Sequence, residues 1–231
     1  MRGASAVASV DDALFVVEDD HGIYRVRGAR AGLWAGRDLH PALGDLEGLA
    51  VADDQTMLWA LAENDGAVVA IPLGARSPRP TVIGYLPRPG TRKNKGYEGL
   101  AFLPARLSPT ARPSLVAVHE GKPRRVGVFA LPDLELTHDL KLPDEAKDLL
   151  KDLADVTVDP VTGQLLLLSD QSRRIVVVRI EGDALIMGGS HDLPLGKQEK
   201  PEGLDFASPS RLLIVTDDSA KLLEMAVARS G

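Results

Sequence analysis

A chain of 231 residues with 44% apolar and 26% charged residues can bury one large all-β core or two small ones. It has no cysteine, which excludes disulfides, thiolate metal sites and cysteine nucleophiles and fits a reducing compartment. A net charge of −6 and an aromatic content of 4% argue against nucleic acid as a partner, and no apolar run approaches the roughly 20 residues of a membrane span.

The start, Met1-Arg2-Gly3-Ala4-Ser5, has no apolar signal region. A cytoplasmic location is expected if the chain is complete, a periplasmic or secreted one if a signal has been removed. Residues 5–10 read as an opening strand. Residues 14–19, Leu-Phe-Val-Val-Glu-Asp, form a second, continuously apolar one, and residues 22–27 a third after a short polar turn. A less regular fourth strand is expected over 32–39.

The same order then returns. Leu46-Glu47-Gly48-Leu49-Ala50-Val51 opens a second repeat, and 58–63, 67–72 and 81–86 complete it. Tyr97-Glu98-Gly99-Leu100-Ala101-Phe102 opens a third, followed by 115–120, 125–130 and 134–142, with a proline- and arginine-containing insertion at 104–113. Residues 143–152 predict a short helix over 145–150. Leu153-Ala154-Asp155-Val156-Thr157-Val158 is a weaker fourth copy, followed by 165–170, 174–180 and 184–193. Pro201-Glu202-Gly203-Leu204-Asp205-Phe206 opens a fifth, with only 212–217 and 221–227 after it.

A spacing of about 50 residues between Glu47 and Glu98 is within reach of a propeller-blade period. Apolar runs without alternation suit middle strands covered on both faces by neighbouring blades. The fold expected is a single all-β domain over residues 1–231. It is a β-propeller of five blades, with six as the alternative and an incomplete last blade.

Neighbouring strands in a blade are antiparallel, so the start of the first strand and the end of the second meet at one end of the sheet. Glu47, Glu98 and Glu202, with Asp155 beside Ala154 in the weaker copy, are therefore expected at one mouth of the central channel. Asp19, Glu63, Glu120, Asp170 and Asp217 end second strands and form a second acidic ring there; their alternative role is turn capping. Converging carboxylates repel unless protons or a cation neutralise them. Hard oxygen donors without sulfur favour calcium or magnesium over zinc. Lys95, Lys122 and Arg173 lie in loops of the same face and could hold a small anionic molecule. His119, next to Glu120, is a candidate general base; a structural role in a buried strand is the alternative. No nucleotide or redox-cofactor motif is present.

Asn94-Lys95-Gly96-Tyr97-Glu98-Gly99-Leu100-Ala101 resembles a blade start of the esterase-like phytase domain family. Residues 152–160, Asp-Leu-Ala-Asp-Val-Thr-Val-Asp-Pro, followed by Leu167-Leu168-Ser169-Asp170-Gln171-Ser172, resemble the SdiA-regulated propeller family. The likeness runs from about Leu14 to Val227. It implies a central divalent metal, commonly calcium with magnesium or manganese possible, held partly by inner-strand acids and, in some members, hydrolysis of esters, lactones or phosphate esters. The expectation is a metal-binding propeller, hydrolysing a small anionic ester at the channel mouth. The alternative is a non-catalytic ligand- or protein-binding propeller with a structural metal or none. The sequence carries no signal of oligomeric state.

Overall fold

The computed structural model describes residues 3–18, 21–75, 77–87, 96–217 and 221–228. Among these residues nineteen strands form five antiparallel sheets, each with its strands in chain order. Blade one is β1 (Ala4–Val10), β2 (Ala13–Glu18), β3 (Gly22–Arg27) and β4 (Arg30–Gly36). Blade two is β5 (Leu46–Val51), β6 (Met57–Ala62), β7 (Ala67–Pro72) and β8 (Thr81–Tyr85). Blade three is β9 (Tyr97–Leu103), β10 (Ser114–His119), β11 (Arg125–Ala130) and β12 (Glu135–Lys141). Blade four is β13 (Asp155–Val158), β14 (Leu165–Ser169), β15 (Arg174–Glu181) and β16 (Ala184–Asp192). Blade five has three strands, β17 (Pro201–Ser208), β18 (Arg211–Thr216) and β19 (Leu222–Ala226).

The expected five-bladed propeller and its three-stranded last blade are both found. The expected helix is one short element, α1 (Asp144–Leu149), opening with Asp144 and Glu145 in its first turn. The fourth strand of blade one starts and ends earlier than expected. Arg27 pairs with Arg30 across a two-residue turn whose first residue, Gly28, has φ +54°, the position such hairpins reserve for glycine. A 3₁₀ turn, Pro41–Gly44, then leads to the next blade, with His40 Nδ1 accepting from the amide of Ala42.

The core lies between blades. In β10 all six residues are buried. Val116 and Val118 pack toward blade four, among Val156, Leu165 and Leu167. Leu115 and Ala117 pack toward blade two, among Trp59, Leu61 and Val68. A strand used on both faces must be apolar at every position, which is why these runs do not alternate.

The inner strands β1, β5, β9, β13 and β17 approach closely, and in β5, β9 and β17 only glycine fits at the approach, with Ala6 and Asp155 at the matching positions of β1 and β13. A Cβ on Gly48 would stand 2.8 Å from the Leu100 amide nitrogen, and one on Gly203 2.7 Å from Ala6 Cα. A Cβ on Gly99 would meet Asp155 Cα at 2.5 Å. The ring closes where β17 meets β1. Its apolar seam is small: Ala4, Val7, Val16 and Val215, with Leu14 and Val26 partly buried against them. Across this seam the amide of Ser9 donates to Asp205 Oδ2 at 2.7 Å.

Candidate functional site

The glutamates of the repeat are aimed by β-bulges. Leu46 pairs with Ala62 and Gly48 with Leu61, so Glu47 is the extra residue between them. Glu98 is extra between Tyr97 and Gly99, Glu202 between Pro201 and Gly203, and Ser5 between Ala4 and Ala6. A bulge adds one residue to one strand and re-aims its side chain. Here it lets the glycine face the next blade while its neighbouring glutamate turns to the channel.

Ser5, Glu47, Glu98, Ala154 and Glu202, the same position in all five blades, line one cup of about 190 Å³. Glu120 and Asp170, from the ends of second strands, join them, as expected from antiparallel pairing. So does Asp152, which the repeat did not reveal. Asp152 is 6% exposed; its Oδ1 accepts from Ser169 Oγ and its Oδ2 from the amide of Gln171 at 3.1 Å. It supplies an acid to blade four, where Ala154 holds the glutamate position. Six carboxyl groups from four blades thus line the mouth, and its described lining contains no basic side chain.

This arrangement shifts its own acids. Burial, first, then Asp170 and Asp217, push Glu202 up to about 8, with Asp152 adding and Lys200 opposing. Asp170 is raised by burial and by Asp152, while Lys200 and Arg173 pull it down. At neutral pH Glu202 therefore keeps its proton.

The remaining expected site residues lie elsewhere. Asp155 is not at the mouth. It holds the glycine position of its repeat, is 2% exposed, and its Oδ2 accepts from the amide of Leu204 at 2.8 Å. Burial raises it well above the usual carboxylate range, against the amides of Leu204, Val156 and Leu100 and with a further push from Asp205. His119, 4% exposed, sits edge-on to Tyr97 at 6.1 Å between ring centroids and does not line the cup. Burial pushes that Tyr97 hydroxyl up to about 12. Arg173 acts on Asp170 from just outside the cup, with φ +46°, while Lys122 is exposed and outside the lining. Glu63 and Asp217 are outside the lining too, although Asp217 acts on Glu202. Asp19 and Lys95 fall outside the described residues.

The donors are all hard oxygens, the chemistry calcium, magnesium and manganese prefer. Among the described residues no three acidic or histidine side chains stand close enough together to hold one ion directly. The mouth does not fit a bare, fully ligated ion in this arrangement.

A closed ring of five four- or three-stranded blades around a polar channel is a β-propeller. The chain belongs to the SdiA-regulated family, whose model matches residues 37–218, as the resemblance in blade four implied. Comparison with curated protein sequences gave no match. Among solved structures, glutaminyl cyclase from Myxococcus xanthus is similar with a TM-score of 0.65 and 12% identity, over 96% of this chain and 89% of that one. A Bacteroides thetaiotaomicron protein of unknown function gives 0.63 and 14%, over 95% of this chain and 58% of that one. A chain of a nidogen/laminin complex gives 0.61 and 13%, over 97% and 76%. The chain thus spans little more than half of the Bacteroides protein. At these identities the likeness is one of fold. No helix among the described residues is long and apolar enough to cross a membrane.

Proposed function

We propose that this chain is a cation-binding propeller and that the acidic mouth takes a hydrated divalent cation. The observation that carries the reading is the lining: six carboxyls and, among the described residues, no base around one small cup. Such a set is stable only when protons or a cation offset its charge. A cup of about 190 Å³ has room for an ion together with several waters. An occupant that keeps its waters favours magnesium, which dehydrates reluctantly, over the calcium implied by the family resemblance.

A second reading, hydrolysis of a small anionic ester, is favoured by Glu202. A carboxyl that stays protonated at neutral pH is suited to give a proton to a leaving group. An anionic substrate would reach this mouth only once its negative charge was offset, and Arg173 and Lys200, which both act on Asp170, could help.

Thermal unfolding in excess magnesium or calcium against excess chelator tests the first reading. Occupancy at 100 times the dissociation constant adds about 2.7 kcal/mol, a rise of about 5–10 °C for a chain of this size. An unchanged midpoint with both ions would count against it. Turnover of aryl esters, lactones or phosphate esters, lost in Glu202→Gln, would establish the second. No turnover on any class in ion-loaded protein would leave the non-catalytic binding module.

A further inference from the structure

The channel has a second opening. The inner strands all run in one direction along the axis, and residues near their starts line the acidic mouth. Their other ends, with Leu49, Phe102, Val156 and Phe206 among them, line a separate cup of about 360 Å³. That volume lies within the range of about 300–1,000 Å³ of small-molecule pockets.

Polar contacts between successive blades brace this end. The amide of Asp11 donates to Gln55 Oε1 at 3.0 Å, joining blades one and two. Arg106, from the 104–113 insertion, pairs with Asp53 at 2.6 Å and donates to the Pro160 carbonyl at 3.2 Å, joining blade three to blades two and four. Thr157 Oγ1 and the Ser9 amide both donate to Asp205, joining blade five to blades four and one. The cup is therefore preformed rather than assembled by a ligand, which lowers the ordering cost of binding.

Its charge is unbalanced. Asp53 is offset by Arg106, but among the described residues no basic side chain pairs with Asp205. Asp205 is enclosed by protein yet reachable from the cup, and burial raises it only to about 6, so it is ionised at pH 7.5. The amides of Ser9 and Phe206 and the Thr157 hydroxyl act on it, and a carboxylate has about four acceptor sites, so a lone pair is left for a ligand. A half-buried carboxylate without a counterion carries part of the cost of desolvation, and a cationic group in the cup would offset it.

We infer that this second cup binds a small organic ammonium ion, its charged group on Asp205 and its apolar body against Phe102, Phe206 and the aliphatic floor. The site is independent of the acidic mouth.

Phenethylammonium, its neutral analogue 2-phenylethanol and the anionic 3-phenylpropionate, titrated by calorimetry at pH 7.5, test this. The ammonium should bind, the alcohol at least tenfold more weakly and the acid not at all. Asp205→Asn should abolish the preference for the ammonium. Because Asp205 also ties three blades together, Val51→Trp is the second variant: it fills the cup wall and spares Asp205, and should remove binding while the protein stays folded. Glu98→Gln, at the acidic mouth, should leave it unchanged. Equal affinity for alcohol and ammonium, no detectable ammonium binding at millimolar concentration, or binding that survives Val51→Trp but is lost in Glu98→Gln would each overturn the inference.

Discussion

Asp155 Oδ2 accepts a 2.8 Å hydrogen bond from the backbone N–H of Leu204, one blade further round the ring. An acid that looked like a metal ligand is a latch between inner strands β13 and β17. Asp155→Ala leaves the buried Leu204 amide without its acceptor and should cost about 1–3 kcal/mol in urea unfolding. Asp155→Asn keeps an acceptor oxygen and should cost less, with the response to divalent ions retained. Full stability in Asp155→Ala together with a lost ion response would instead make Asp155 a ligand.

Gly99 should be irreplaceable for a related reason. A Cβ there would stand 2.4 Å from Asp155 Oδ1 and 2.5 Å from its Cα, a clash with the neighbouring strand and not only with a flexible side chain. Gly99→Ala should destabilise by about 1–3 kcal/mol or more. Gly32→Ala, with nothing within 4 Å of the new methyl, should change stability by no more than about 0.5 kcal/mol. Equal denaturation midpoints for the two variants would contradict the close approach of the blades.

The fold was legible because its signals are local and repeated: continuous apolar runs, polar turns and one recurring Glu-Gly phrase. The mouth was half legible. Antiparallel pairing alone puts Glu47, Glu98, Glu202, Glu120 and Asp170 at one end, and they do line one cup. Asp155 misled because side chains in a strand alternate, so one residue of offset from Ala154 sends it to the neighbouring blade instead of the channel. The bulges that aim the glutamates leave no mark in the sequence beyond the glycine that follows. Asp152 stands two residues before the repeat position and is held by Ser169 and Gln171, partners 17 and 19 residues away. Its only signal was an acid shortly before the copy in which alanine stands in place of glutamate. The loop cations were placed by proximity in sequence, which does not say where a long side chain ends.

The proton on Glu202 makes stability depend on pH with a definite sign. Glu202 is raised from 4.5 to about 8, so between these values the folded protein holds a proton that the unfolded chain has released. Stability should therefore fall as pH rises from about 4.5 to about 8 and level off above. Asp205, raised from 3.8 to about 6, acts in the same direction over its own narrower range. Glu202→Gln, uncharged throughout, should lose most of the slope above pH 6 and exceed the parent protein in stability at pH 8.5. Urea midpoints at pH 5, 6.5 and 8.5 give the comparison; parallel slopes for the two proteins would contradict the assignment.

The central claim is that the acidic mouth binds a divalent cation, and titration calorimetry of chelator-treated protein at pH 7.0, in two buffers of different ionisation enthalpy, tests it most directly. Magnesium should bind at one site and release a proton, because a cation in the mouth favours the ionised form of Glu202. Affinity should rise with pH up to about 8, and Glu98→Gln should weaken it at least tenfold with the fold intact. No binding heat with magnesium or calcium, or binding without proton release that is equally strong in Glu98→Gln, would contradict the account.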